Sequence, residues 1–437
     1  MSVLFGLDPT ALVERFGSPL YIYDLDIVAR RTAALRDVLP APFELAYAVK
    51  ANPSLAVVAH LASLGLGADV ASGGELALVA RAGFAADRIV FTGPGKRDDE
   101  LAAAVETGIR AITVESAGEL ERLEAIARAR GVRPPILLRA TVAPTGAERT
   151  RIVGDEGLGK FGIAAADLPA VAERAARSAH VRLLGLHAFG ASNVVDVDEI
   201  ADHVAATVAS AAALARATGA PLRLVDAGGG LGIPYADDDP SLDLAALGAR
   251  LTALAAGWAT DPVTRAVRVL FEPGRHLVGP AGAYVARVVD RKPVAGGSVV
   301  VLDGGINHFV RPALTGQAHR IVALGSGRAD GPAPDPGGRT AVVGPLCSGL
   351  DVLARETALP AVVGDLVAII DAGAYGYTES MPFFLSHPIP AEVVVRDGVA
   401  ALARPRIEPS DWLDRQLLPS FDERADVSDG GALAGRR

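Results

Sequence analysis

A chain of 437 residues is longer than one hydrophobic core ordinarily serves, which predicts two domains. Half of the residues are hydrophobic and 21% are charged, and charges interrupt the apolar stretches, as Arg250 does within 242–258, which excludes a membrane span. A net charge of -9 argues against nucleic acid as a partner, and a single cysteine, Cys347, excludes an intrachain disulfide.

The chain opens on Asp8 with no basic segment ahead of an apolar core, so no signal peptide is read there. With nothing in the cysteine usage pointing to an oxidising compartment, a cytoplasmic protein is the expectation. Leu20-Tyr21-Ile22-Tyr23 predicts a first strand. From about residue 43, short β-like runs alternate with amphipathic helical stretches; the runs fall at 44–48, 66–70, 88–91, 111–114, 136–140, 182–187, 222–226 and 268–271. The early runs recur about every 22–25 residues, the length of one strand, one helix and two short loops. Ser72-Gly73-Gly74-Glu75 and Ser116-Ala117-Gly118-Glu119 fit the capping box that opens a helix, and Gly65 and Gly83 stand where helices should stop.

Eight such units predict a TIM (β/α)8 barrel, with a doubly wound open sheet as the alternative because alternation does not show closure. Beyond Phe271 the pattern turns β-rich, with runs at 284–289, 298–302, 340–343, 365–370 and 392–396, and with turns at Gly296-Gly297 and 332–338. A β-sandwich or β-barrel domain is expected there. Residues 26–271 are assigned to the barrel, 1–25 with 272–410 to the β domain, and 411–437 to a C-terminal segment that is partly flexible from about residue 420.

In a TIM barrel the active site lies at the carboxyl ends of the strands. The first strand leads into Lys50, the second carries Asp69 near its end, the sixth ends in His187, the seventh runs into Gly228-Gly229-Gly230, and the eighth is followed by Glu272. Lys50 alone reads as a surface lysine closing a strand. At a barrel mouth, however, desolvation lets a lysine shed its proton and attack a carbonyl as a free amine. The glycine turn lets backbone amides approach a phosphate. A Schiff-base lysine and a phosphate cradle in one barrel point together to pyridoxal 5'-phosphate (PLP). Glu272, facing the pyridine nitrogen, keeps it protonated so that the ring accepts the electron pair left by departing carbon dioxide. An arginine at that place would suit racemisation better. His187 is expected to stack on the ring, and no metal is assigned.

These residues carry a resemblance to the fold-type III PLP decarboxylases, the group of diaminopimelate, ornithine and arginine decarboxylases. It rests on Tyr47-Ala48-Val49-Lys50-Ala51-Asn52, on Ala68-Asp69-Val70-Ala71-Ser72-Gly73-Gly74-Glu75, on Lys160-Phe161-Gly162, on Asp226-Ala227-Gly228-Gly229-Gly230-Leu231-Gly232 and on Glu272-Pro273-Gly274-Arg275. The resemblance implies a PLP barrel followed by a β domain, in a homodimer with two shared active sites. It implies that Lys50 bonds the cofactor, that His187 stacks on it, that Gly228 to Gly230 and Tyr375 hold its phosphate and that Glu272 pairs with its ring nitrogen. It also implies that Cys347 reaches into the partner's site and protonates the carbanion.

The departures bear on substrate. Where diaminopimelate decarboxylases usually carry a glutamate after the cysteine, this chain has Ser348, and where they carry a tyrosine after Arg311-Pro312-Ala313-Leu314, it has Thr315. Arg275 and Arg311 remain as carboxylate-binding residues, with Ser348 beside them at the substrate. Loss of polar readers of the far end changes discrimination. Phe189-Gly190-Ala191-Ser192-Asn193 and the segment 373–388 look more like a specialised branch that includes the butirosin decarboxylase, which acts on glutamate held by an acyl carrier protein. Carrier proteins are acidic, so a local basic patch would be needed to receive one.

The sequence therefore reads as a PLP-dependent decarboxylase of an amino acid or carrier-bound amino-acyl substrate in a specialised pathway. The alternatives are diaminopimelate decarboxylation and a catalytically silent PLP-binding regulatory homologue.

Overall fold

The computed structural model describes residues 3–141, 159–325 and 339–419; the turn read at 332–338 and the tail from 420 lie outside the described residues. After β1 (Leu20–Asp24), eight strands follow with helices between them. They are β2 (Phe43–Ala48), β3 (Gly67–Val70), β4 (Ile89–Phe91), β5 (Ala111–Val114), β6 (Pro135–Arg139), β7 (Arg182–His187), β8 (Leu224–Asp226) and β9 (Arg268–Phe271). Each pairs in parallel with the next, and β9 pairs back onto β2 through Phe43 opposite Val269 and Leu45 opposite Phe271. That last pairing closes the barrel and excludes the open sheet.

These strands are buried on both faces, which is why they read as near-continuous apolar runs rather than alternating ones. Ala46, Val90, Ala111, Leu137, Leu224 and Leu270, one from each of six strands, form a separate cluster that fills the barrel interior. The opposite faces take the helices; Val197–Thr218, for example, buries Ile200, Val204, Val208 and Ala211 at helical spacing.

Helix Gly73–Arg81 begins as predicted, with Ser72 Oγ accepting from Glu75 N at 3.1 Å, but the Glu75 carboxylate accepts from Ala71 N, one residue earlier than a capping box requires. Helix Ala117–Arg130 repeats the pattern, Glu119 reaching Glu115 N. Gly65 and Gly83 follow their helices with φ of +77° and +93°, the left-handed backbone that glycine tolerates.

The second half of the chain adds β10 (Gly282–Val294), β11 (Gly297–Leu302), β12 (Ile321–Ala323), β13 (Arg339–Val343), β14 (Val352–Thr357), β15 (Leu366–Ile369), β16 (Ala391–Arg396) and β17 (Val399–Arg404). With β1 they form a nine-stranded mixed sheet of order β14-β13-β11-β10-β1-β16-β17, with β15 also on β10 and β12 on β15. β1 lies antiparallel to β10 and parallel to β16. Leu20, Ile22, Val285, Leu366 and Val393 pack together on one face. β10 is longer than its 284–289 reading because a bulge between Val288 and Asp290 lets it continue as the partner of β11. β12, β14 and β17 were not expected. Among the described residues no helix is long and apolar enough to cross a membrane.

Within the β-rich half, backbone passes backbone. A Cβ on Gly282, at the start of β10, would lie 2.2 Å from Gly373 Cα, and one on Gly373 would lie 1.8 Å from the Val278 carbonyl oxygen. Gly373→Ala therefore forces a backbone shift and is expected to cost about 1–3 kcal/mol of stability. Urea denaturation measures it, and a wild-type midpoint would refute the packing argument.

Candidate active site

A cavity of about 440 Å³ opens at the carboxyl ends of the barrel strands, and Lys50, His187, Glu272, Arg275, Arg311 and Tyr375 line it. Lys50 sits in the single 3-10 turn Val49–Ala51 that ends β2. Its Nζ donates to Asp69 Oδ2 at 3.3 Å from the end of β3, and Asp69 Oδ1 accepts from Thr92 Oγ1 at 2.7 Å. The expectation that desolvation frees the amine needs correction. Burial does push the ammonium down, but Asp69, Glu272 and Tyr375 outweigh it and raise Lys50 above its ordinary value. The largest attraction is that of Asp69, buried and in hydrogen-bond contact with the ammonium.

Across the cavity, β7, β8 and β9 end in three buried ionisable groups. His187 Nε2 lies 3.8 Å from Glu272 Oε2, and the ligating atoms of His187, Asp226 and Glu272 all fall within 4.8 Å of one another. Burial, helped by Arg139 and Lys50, holds His187 well below its ordinary value, so the imidazole is neutral and forms no ion pair with the acid. Burial raises both carboxyls, Asp226 to about 6 with help from the Asp69 charge, and Glu272 well above the carboxylate range with help from the charges of Asp226 and Asp69. Two carboxyls this close in an apolar setting cannot both ionise readily.

The glycine turn packs directly against Phe189 and Glu272, which line the cavity. A Cβ on Gly228 would lie 2.9 Å from the Phe189 ring, and one on Gly229 would lie 2.1 Å from the Glu272 carbonyl oxygen. Gly228 and Gly230 have φ of +67° and +85°, so the turn needs glycine for its backbone as well as for space.

Tyr375 comes from the other half of the molecule. It holds a φ of +57°, a strained value for a bulky residue, through donation of its N–H to the Ala51 carbonyl at 2.7 Å. Asn52 Nδ2 donates to the Gly373 carbonyl at 2.9 Å, a second tie between the lysine turn and the tyrosine loop. Arg275 Nη1 donates to Tyr235 Oη at 2.6 Å and Nη2 to Ser192 Oγ at 3.2 Å. The Arg275 and Arg311 guanidinium carbons stand 5.1 and 5.0 Å from the Tyr375 ring centroid.

Cys347 and Ser348 are not brought to this cavity. Cys347 is exposed on a loop organised by buried Asp351, whose carboxylate accepts from Ile306 N at 2.8 Å and from Leu346 N at 2.7 Å. Among the charged and aromatic residues at the site, four were not singled out from sequence. Asp226 ends an apolar strand just before the glycine turn, and Arg139 ends β6, so both carried the signal of a charge closing a buried strand. Tyr235 and Glu379 lie in loops and carried none.

A mouth-facing lysine set against a buried acid pair and a neutral imidazole defines an enzyme that works through a carbonyl cofactor on a nitrogen ring. PLP fits on three observations: Lys50 Nζ is accessible for its aldehyde, and Glu272 Oε1 and both His187 ring nitrogens lack partners among the described residues. A family model described as pyridoxal-dependent decarboxylase, pyridoxal binding domain, matches residues 25–279. The diaminopimelate decarboxylase of Zymomonas mobilis is 33% identical over 411 residues, covering 92% of this chain and 93% of that protein. The L-glutamyl-(BtrI acyl-carrier protein) decarboxylase of Niallia circulans is 31% identical over 422 residues, covering 93% and 96%. Diaminopimelate decarboxylase from Helicobacter pylori, solved in complex with L-lysine, matches with a TM-score of 0.83 at 28% identity, covering 93% of this chain and 99% of that one. The chain belongs to the pyridoxal-dependent decarboxylases. It is a PLP-dependent carboxy-lyase.

The raised acids give a pH dependence. Unfolded carboxyls titrate at about 4. A folded value above that makes the contribution to stability greatest below about pH 4 and loses it as pH climbs through the folded value. With Asp226 at about 6 and Glu272 higher, cofactor-free protein should be stabilised by Glu272→Gln more at pH 8 than at pH 5. Melting curves of both proteins across that range decide it; a difference in Tm that is flat or shrinks toward pH 8 removes the buried acid pair.

Proposed function

We propose that this enzyme decarboxylates an amino acid, free or carried as an amino-acyl group on a carrier protein, in a specialised biosynthetic pathway. The observation that supports the specialised reading is Thr315. Its hydroxyl donates to the Arg311 carbonyl at 2.8 Å and accepts from Gln317 N at 3.1 Å, so it caps its own short helix rather than facing a substrate. Together with Ser348, it leaves this chain without two polar readers of an amino acid's far end.

Bound PLP supplies an electron sink for the pair left on the α-carbon as carbon dioxide departs. In this reading the Lys50 amine holds the cofactor, and Asp69 keeps that amine aimed into the cavity. Glu272 would pair with the ring nitrogen and keep a proton there, and the neutral His187 imidazole would pack against the cofactor. Gly228, Gly229, Gly230 and Tyr375 hold the phosphate end. Arg275 and Arg311 stand on the substrate side of the cavity, with Ser348 of a second subunit. Cys347, exposed and away from its own cavity, reaches the partner's site in a homodimer and returns a proton from Sγ to the α-carbon. A second reading, diaminopimelate decarboxylation, is favoured by the likeness to the Zymomonas enzyme.

The purified protein should absorb near the visible edge and lose that band in Lys50→Ala; an unchanged spectrum removes the assignment of Lys50. Carbon dioxide release from diaminopimelate, ornithine, arginine and a glutamyl carrier protein separates the substrate readings, and release from none of them leaves the silent homologue. Mixing Lys50→Ala with Cys347→Ala subunits should recover about a quarter of wild-type turnover if each site draws on both chains. No recovery returns Cys347 to a structural role.

A further inference from the structure

The cavity contains its own counter-charge for one of its arginines, Arg311. Arg311 is 5% exposed, and its Nη1 donates to Glu379 Oε2 at 2.8 Å; both side chains line the cavity with Lys50 and Glu272. The pair is built in from both sides. Arg311 opens the short helix Arg311–Thr315, and Val310 just before it donates its N–H to Ser380 Oγ at 3.1 Å. Ser380 Oγ donates in turn to the Gly376 carbonyl at 2.6 Å, so the loop that carries Glu379 is pinned to the residue preceding Arg311. Glu379 is delivered to Arg311 by the fold.

We propose that Glu379 is a specificity-determining residue: by occupying Arg311 it selects substrates whose far end is uncharged, such as a carboxyl masked as a thioester, ester or amide, over those with a free far carboxylate. This rests on the decarboxylase reading above and narrows its substrate class. A free carboxylate would have to displace Glu379 from a buried guanidinium, leaving a carboxylate of only 22% side-chain exposure without its partner. A neutral end leaves the Arg311–Glu379 pair undisturbed.

Holoenzyme is tested with glutamate, glutamate γ-methyl ester and ornithine, reading kcat/KM from carbon dioxide release and Kd from calorimetric titration. The ester should exceed glutamate by about tenfold or more in both measures, and Glu379→Gln should shrink that ratio by about tenfold, mainly through KM for glutamate. Glu379→Asp, which retains the charge, should keep the preference. Equal use of glutamate and ester, a preference for ornithine, or a ratio unmoved in Glu379→Gln overturns the proposal, as does failure of all three probes to bind. Binding in the expected order without carbon dioxide release supports the role of Glu379 and counts instead against the decarboxylation of such substrates.

Discussion

The pairing of β2 with β9 is the constraint on which the site depends. It joins the first and last strands of the barrel, so that the lysine following one and the acid following the other become neighbours at the same rim. Every other barrel residue of the site is placed by the same rule, since strands that run in parallel deliver all their carboxyl ends to one mouth. Asp69, Arg139, His187 and Asp226 need only stand last, or nearly last, on their strands to converge.

Convergence in a low-dielectric setting then sets the charge states. Burial acts in the same sense on all the ionisable groups, favouring their neutral forms. The outcomes differ because their neighbours differ. His187 has cations around it and becomes more firmly neutral, Asp226 and Glu272 have the Asp69 charge beside them and rise, and Lys50 has a buried carboxylate at contact and stays charged. The result is a cavity with a cation on one wall and a proton-rich acid pair on the other. That suits a ligand which must be gripped at an aldehyde and kept cationic at a ring nitrogen.

The second half of the molecule is part of the site rather than an appendage. The loop bearing Tyr375 is held against the lysine turn by two hydrogen bonds, and its base is fixed within the β-rich half by the close passage of Gly282 and Gly373, where no side chain fits. Such a close passage tolerates little movement of the loop, because backbone atoms cannot repack as side chains do. The same loop carries Glu379 to Arg311, so the β-rich half both completes the cavity and sets which charges that wall offers.

Residue order alone specified much of this molecule. The eight barrel strands were legible to within two residues of their ends, because strands buried on both faces are written as short apolar runs between helix signals, and a charged residue closing such a run marks the mouth. Lys50, Asp69, His187 and Glu272 were visible for that reason. In the mixed sheet the signal thinned: β12 and β14 are short or half exposed, and β17 is alanine-rich with Val399 and Leu402 exposed, although Asp397-Gly398 before it, both at positive φ, is a hairpin turn that the sequence did display. Tertiary structure alone decided barrel closure, the sharing of charge between Asp226 and Glu272, the charged state of Lys50 and the pairing of Arg311 with Glu379. Each depends on a contact between residues distant in the chain, and local pattern, which records only what a segment buries, does not record which segment it meets.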